Sequence, residues 1–174
     1  MNIQIELISE SDLADESFNI VIDGLKPREI YRVEMFLSDY YCINAPMLLA
    51  HDVLWKSTAT FVSDKNGIID ISQTPSCSGS YEDIATMGLF FNAKPLTNRK
   101  KKLPNSLSKI PLLDHFFVEI KIMQGNTVIA ERTFTRHYMS SQISHQDIYG
   151  KHFQGRLFYD KKAIKTPSID YCER

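Results

Sequence analysis

The chain has 174 residues, of which 43% are hydrophobic and 24% charged. This composition predicts one folded domain and excludes long intrinsic disorder. The formal charge of −1 excludes a globally basic nucleic-acid-binding protein. No apolar run reaches the roughly 18 residues that a membrane-spanning helix needs, and the N-terminus lacks the features of a secretory signal. Cytoplasm is therefore the predicted location.

The composition favours β-strands. Isoleucine outnumbers alanine 19 to 8, and there are 10 phenylalanines and 8 tyrosines. β-Branched and aromatic side chains suit the pleated surface of a sheet, whereas alanine favours helices. Three cysteines without pair-like spacing predict free thiols in a reducing compartment; they are Cys42, Cys77 and Cys172.

In chain order, short alternating runs are separated by turn signals such as Asp23-Gly24 before Pro27. The run 29–37 is predicted to place Tyr31, Val33 and Phe36 on a strand surface. The predicted strands are 3–7, 18–22, 29–37, 55–62, 68–72, 86–92, 115–123, 127–135 and 154–159. The nearest approach to a helical pattern, 44–55, is short. The predicted fold is an all-β, antiparallel sandwich.

Two turn signals predict hairpins. Asn66-Gly67 separates 61–64 from 68–72, and both residue types tolerate positive φ. Gln124-Gly125-Asn126 connects the predicted strands 115–123 and 127–135. We therefore expect each of these neighbouring strand pairs to be joined by hydrogen bonds.

The segment 94–111 carries six basic residues, no acidic residue and three prolines, which predicts a long exposed loop. Arg99, Lys100, Lys101 and Lys102 form a candidate patch for phosphate, coenzyme A, another anion or an acidic lipid surface. The competing interpretation, which we favour, is a solvated loop. Because the loop has no aromatic residue for base stacking, no nucleic-acid partner is predicted.

Catalytic candidates are few. Cys77 and Ser80 lie in a loop rich in serine and glycine, but a nucleophile needs an adjacent base, and the sequence places none of the five histidines beside them. His137, His145 and His152 are seven or eight residues apart, which is not typical of metal-ligand spacing. No catalytic residue, metal site or cofactor is predicted.

One set of motifs resembles a known family. The motifs are Gly79-Ser80-Tyr81, Met87-Gly88-Leu89-Phe90, IVIDGLKP at 20–27, WKSTATF at 55–61, DKNGIID at 64–70 and GRLF at 155–158. Their order and spacing are similar to those of the N-terminal domain of acyl-CoA thioester hydrolases and bile acid-CoA:amino acid N-acyltransferases. The resemblance extends from about residue 17 to residue 159.

This resemblance implies an immunoglobulin-like sandwich over residues 1–160, with 161–174 as the start of a linker to an α/β-hydrolase domain. In the family that second domain holds the nucleophile, on a Gly-x-Ser/Cys-x-Gly elbow that this sequence does not contain. The implied partner is therefore a hydrolase domain in the same or a separate chain, with acyl-CoA at the interface. The residues expected at the domain interface are Gly79, Ser80, Tyr81, Met87, Gly88, Leu89 and Phe90.

Two alternatives remain at this point. The chain could be a stand-alone interaction module that binds a protein or an anionic ligand through the basic loop. It could also be a small thiol or serine esterase that uses Cys77 or Ser80, which the missing base makes the weaker alternative.

Overall fold

The computed structural model describes residues 2–40, 53–97 and 114–163. In these ranges the chain forms eleven strands, one short helix and a final 3₁₀ turn. The strands are β1 (Gln4–Ile8), β2 (Asn19–Asp23), β3 (Ile30–Ser38), β4 (Trp55–Val62), β5 (Ile69–Asp70), β6 (Ser78–Gly79), β7 (Lys94–Pro95), β8 (His115–Gln124), β9 (Thr127–His137), β10 (Ile143–Tyr149) and β11 (Gln154–Asp160). The helix α1 is Gly88–Phe91, and the 3₁₀ turn is Lys161–Ala163.

The strands form three antiparallel sheets. A three-stranded sheet has the order β1-β2-β5. A larger sheet has the order β6-β4-β3-β8-β9, and β7 also pairs with β4. The strands β10 and β11 form a two-stranded sheet and pair with no other strand of the described ranges.

The first two sheets enclose a common core. On the larger sheet, alternate residues of β3 and β8 point inward and are fully buried, including Tyr31, Val33 and Phe116. The three-stranded sheet contributes Ile20 and Ile22 from β2 to the same cluster. Because side chains alternate along a strand, one face of each sheet fills the core. The predicted all-β sandwich is confirmed.

The alternation of side chains along β3 also shows that the predicted orientation of Phe36 is wrong. Phe36 was expected on the same surface as Tyr31 and Val33, but it lies on the opposite face of β3, where the ammonium groups of Lys56 and Lys121 lie over its ring at 4.9 and 5.4 Å. The inward positions of this strand continue instead with Met35 and Leu37. A strand has a period of two, so residues 33 and 36 cannot share a face.

The two predicted hairpins differ in outcome. Strands β8 and β9 pair as expected around the turn at Gly125-Asn126, with an irregularity between Ile122 and Met123. The turn at Asn66-Gly67 also forms, but it does not join paired strands. Strand β4 belongs to the larger sheet, whereas β5 pairs with β2 in the other sheet. The predicted pairing of 61–64 with 68–72 is therefore wrong, because this turn crosses from one sheet to the other.

A buried arginine fixes the loop between β1 and β2, residues 9–18. Arg136, on β9, is only 1% exposed, and its guanidinium group lies 5.2 Å from the centre of the Phe18 ring. It donates hydrogen bonds to Ser9 Oγ and to the backbone carbonyls of Ser11, Leu13 and Glu16. Burial lowers the pKa of this guanidinium group, and nearby carboxylates partly offset that effect.

Two predicted features, the weak helical pattern and the basic loop, lie largely outside the described ranges. Most of the weak helical pattern at 44–55 precedes Val53, where the description resumes. The basic segment is described only as far as Thr97. Among the residues that are described, no helix has both the length and the apolar character needed to cross a membrane.

Candidate functional site

The candidate site is built on residues 78–96, here called the edge segment, which runs beside β4. At one end β6 pairs with β4, placing Gly79 opposite Ala59. At the other end β7 pairs with β4, placing Pro95 opposite Trp55. Both ends are thus fixed by backbone hydrogen bonds to the same strand. The residues between these two ends include both buried and exposed side chains.

Gly79 and Ser80 fasten the first end of the edge segment. Gly79 has φ +130°, and a Cβ atom on it would lie 2.3 Å from the carbonyl oxygen of Thr58. Only glycine fits this conformation and this close approach. The Ser80 N–H donates to the Thr58 carbonyl at 2.7 Å, and Ser80 Oγ accepts from the Thr58 N–H at 3.0 Å. The Ser80 hydroxyl is therefore occupied in holding two strands together.

Tyr81 packs its ring directly on Gly88. A Cβ atom at position 88 would lie 2.5 Å from Cζ of Tyr81, so the glycine makes room for the ring. The Tyr81 hydroxyl is buried and finds no hydrogen-bond partner in the described part of the chain. Burial raises the pKa of Tyr81 to about 12, because the phenolate would lose its hydration. These two motif residues fix the path of the edge segment.

Replacing Tyr81 by phenylalanine is expected to raise the free energy of unfolding by about 1 kcal/mol at neutral pH, because a buried, unpaired hydroxyl is removed. In the wild type the pKa of Tyr81 is about 12 in the folded state and about 10 in the unfolded state. The free energy of unfolding of the wild type should therefore fall as pH rises from 10 toward 12. The advantage of Tyr81→Phe should therefore grow over that interval. Denaturant unfolding at pH 7, 10 and 11.5 checks this, and a loss of stability at pH 7 would contradict it.

The second half of the motif forms a helical turn. Residues 86–92 were predicted to be a strand, and this prediction is wrong: the N–H groups of Phe91 and Asn92 donate to the carbonyls of Met87 and Gly88. The turn buries Leu89, which is 1% exposed, and sets the Phe90 ring edge-on to Phe18 at 5.7 Å. On a helical turn Leu89 and Phe90 point about 100° apart, so both can reach the sandwich from one side, whereas a strand would direct them to opposite faces.

Most of the residues expected at a domain interface therefore have roles inside the sandwich. Leu89 belongs to the core cluster, with Tyr81, Met87 and Phe90 packed against it. The Phe18 N–H also donates to Met87 Sδ at 3.3 Å. Their packing explains why these residue types occur in this order.

The same segment exposes three other large apolar side chains. Phe91 is 76% exposed, Ile84 55% and Leu96 54%. We call these three residues the apolar patch. The Phe91 ring lies 5.8 Å from the Phe90 ring, so the exposed aromatic is continuous with the buried cluster. Sequence reasoning missed the patch, although the pair Phe90-Phe91 was its signal, since consecutive residues of a helix point about 100° apart.

The described structure does not place Cys77 beside His115 or His137. Cys77 is exposed just before β6, at one edge of the larger sheet. His115 and His137 lie on β8 and β9, with β4 and β3 between them and β6. At the usual strand spacing, the backbones of β6 and β8 lie about 14 Å apart, and β9 lies one strand further. This separation argues against the esterase alternative.

No group of three His, Cys, Asp or Glu side chains suited to a metal ion occurs in the ranges 2–40, 53–97 and 114–163. The candidate anion patch Arg99, Lys100, Lys101 and Lys102 lies outside those ranges. The neighbouring Lys94 is described; it is exposed and lies opposite Lys56 in the pairing of β7 with β4.

Comparison with known proteins identifies the family. Residues 15–149, from the loop before β2 to the end of β10, match the family model for the acyl-CoA thioester hydrolase/BAAT N-terminal region. The chain belongs to this family. The match includes the whole edge segment and both sheets of the sandwich except β1. The family expected from the motif order is confirmed.

The sequence identity to individual relatives is low. Mouse acyl-coenzyme A amino acid N-acyltransferase 2 is 27% identical over 112 residues, which is 64% of this chain. Mouse acyl-coenzyme A thioesterase 6 is 22% identical over 166 residues and 89% of this chain. Mouse bile acid-CoA:amino acid N-acyltransferase is 25% identical over 164 residues and 91% of this chain. The matches cover 24%, 35% and 37% of these proteins, so the chain spans roughly a quarter to a third of its relatives.

Proposed function

We propose that this chain is the non-catalytic β-sandwich portion of an acyl-CoA-processing enzyme. It packs on an α/β-hydrolase portion, in the same or a second polypeptide, and helps to shape the acyl-CoA site. Family membership supports this proposal, because the relatives are named acyl-CoA thioesterases and acyltransferases and extend well beyond the matched region. The distance between Cys77 and the two sheet histidines supports the non-catalytic role.

The apolar patch is the observation that carries the proposal. Phe91, Ile84 and Leu96 lie on the same edge segment and leave much of their apolar surface in water, and exposed apolar surface marks interaction sites. The edge segment is fixed at both ends and packed through Leu89, so Phe91 is presented with little loss of conformational entropy on binding. A preorganised aromatic side chain of this kind is a typical anchor of an interface.

The same patch suits an acyl-CoA site. Phe91 and Leu96 would supply an apolar wall to the acyl chain where the two portions meet. Exposed Lys94 lies between them in sequence and would supply positive charge toward the phosphates of coenzyme A. The exposed free thiol of Cys77 is compatible with a reducing compartment, and we place the enzyme in the cytoplasm. An immunoglobulin-like strand topology is part of the same proposal.

The test uses a fusion of this chain with the part of mouse acyl-coenzyme A thioesterase 6 that lies beyond the matched region, here called the thioesterase fusion. Replacing Phe91 by aspartate is expected to lower the rate of thiol release from palmitoyl-CoA at least about tenfold, because a charge would be buried at an interface hot spot. The rate is followed with a thiol reagent, and the chain alone supplies the background.

Val128→Asp is the matched control, since Val128 is also an exposed apolar residue but lies on β9, at the opposite edge of the larger sheet. It should leave the rate within about twofold of the unmodified fusion. Equal rates for the Phe91→Asp and Val128→Asp fusions, with both folded by circular dichroism, would remove the apolar patch from the interface.

A further inference from the structure

The hairpin formed by β10 and β11 differs from the rest of the described structure. Seven residue pairs join the two strands, from Ile143 opposite Asp160 to Tyr149 opposite Gln154. The hairpin pairs with neither sheet of the sandwich, and none of its side chains that the structure describes is buried. A two-stranded hairpin without a packed face is at best marginally stable in water.

Both faces of this hairpin carry apolar side chains. One face presents Ile143, Tyr149 and Phe158 together with His145, Asp160 and the Asp147–Arg156 ion pair. The other face presents Ile148, Leu157 and Tyr159 together with Ser144 and Gln146. Phe158 is 54% exposed, and Phe153, in the connecting turn, is 59% exposed.

A paired charge fixes the register of the hairpin. Arg156 donates to both carboxylate oxygens of Asp147, at 2.6 and 3.1 Å. The ladder is thus well specified, but none of its described side chains reaches full burial. Strands of a sandwich keep one face polar, whereas strands covered on both faces are apolar on both, as in sheets that carry helices on each side.

We infer that β10 and β11 are not part of the sandwich but the first two strands of the sheet of an α/β-hydrolase portion. The inference rests on the proposed function for the identity of that partner. The family model for the N-terminal region includes β10 and ends at Tyr149, before β11. The relatives extend far beyond the matched region, which supports the inference. The partner supplies a strand to the free edge and helices to both faces. The sandwich then ends near Tyr138, whose N–H bonds to Asp114, and not at residue 160.

The first test uses the chain by itself and hydrogen exchange followed by mass spectrometry. Amides of β10 and β11 should exchange at least about 100-fold faster than those of β3 and β8, because no described side chain of the hairpin is fully buried, whereas β3 and β8 line the core. Leu157→Asp should move the melting temperature by less than about 2 °C, whereas its core counterpart Ile122→Asp should unfold the sandwich. Hairpin protection equal to that of the sandwich, or a large shift from Leu157→Asp, would overturn the inference.

The second test uses the thioesterase fusion. Protection of β11 amides should rise at least about 100-fold relative to the chain alone, and Leu157→Asp and Phe158→Lys, one on each face, should each reduce that gain. A gain that neither variant reduces would overturn the inference. Concentration-dependent protection in the chain alone would also overturn it, because a second copy would then be the cover.

The two proposals fail separately. Loss of the rate effect of Phe91→Asp, with hairpin protection still present in the fusion, removes the apolar patch and leaves the hairpin assignment standing. A strong effect of Phe91→Asp without hairpin protection removes only the hairpin assignment.

Discussion

Arg136→Ala is expected to lower the free energy of unfolding by about 4 kcal/mol, because hydrogen bonds from a charged group contribute roughly 1.5–3 kcal/mol each and several carbonyls would lose their donor together. The guanidinium group of Arg136 is itself fully buried and donates hydrogen bonds to three backbone carbonyls and one hydroxyl of the loop 9–18. For a chain of this size the melting temperature should fall by roughly 10 °C. Denaturant and thermal unfolding measure both quantities.

Two variants separate the geometry of Arg136 from its charge. Arg136→Lys keeps the positive charge but has one nitrogen in place of the forked guanidinium group, so it should recover less than half of the loss. Arg132→Ala is the matched control, because Arg132 lies on the same strand, is exposed and donates one hydrogen bond, to the Ile5 carbonyl at 2.6 Å. It should cost about 1 kcal/mol. Full recovery by lysine would show that charge, rather than geometry, holds the loop.

Leu89→Ala is expected to cost about 3 kcal/mol, because removing a fully buried leucine leaves a cavity in a close-packed core. Phe91→Ala, two residues further on the same helical turn, should change stability by less than about 0.5 kcal/mol in the isolated chain. Their exposures, 1% and 76%, account for the difference.

Urea unfolding of the two variants, with the dependence on denaturant fitted for each, tests this contrast. If Phe91→Ala destabilises the isolated chain as much as Leu89→Ala, the edge segment packs differently and Phe91 cannot be the free anchor of a partner surface. If Leu89→Ala is neutral, the helical turn does not contribute to the core.

Local patterns predicted much of the fold. The alternation of residues in β3, β4, β8 and β9 and the short turn at Gly125-Asn126 concern neighbours in sequence, so the strands and this hairpin could be predicted. The pairing after Asn66-Gly67 could not, because a turn motif fixes the local backbone but not the sheet to which the next strand belongs. That choice depends on Ile69 packing with β2, almost fifty residues earlier in the chain.

For the candidate site too, local features could be predicted from the sequence and long-range contacts could not. The motif around Gly79 and Gly88 indicated the right segment, because both glycines meet local needs of backbone and ring packing. Which aromatic of the pair Phe90-Phe91 lies inside could not be predicted while the segment was taken for a strand. Arg136 gave no signal at all, since its burial depends on a loop that lies more than a hundred residues away in sequence.

The sequence by itself determined the strand-rich class, the family and the absence of a nucleophile elbow from these 174 residues, because composition and short motifs express local physical requirements. Only the tertiary structure decided which apolar residues remain in water. Leu89 and Phe91, or Ile122 and Leu157, are of equal apolar character in the sequence, and they differ only in whether another part of the chain covers them. Burial depends on long-range contacts. The surfaces that we assign to a partner could therefore be identified only from the tertiary structure, which shows which apolar side chains the sandwich does not cover.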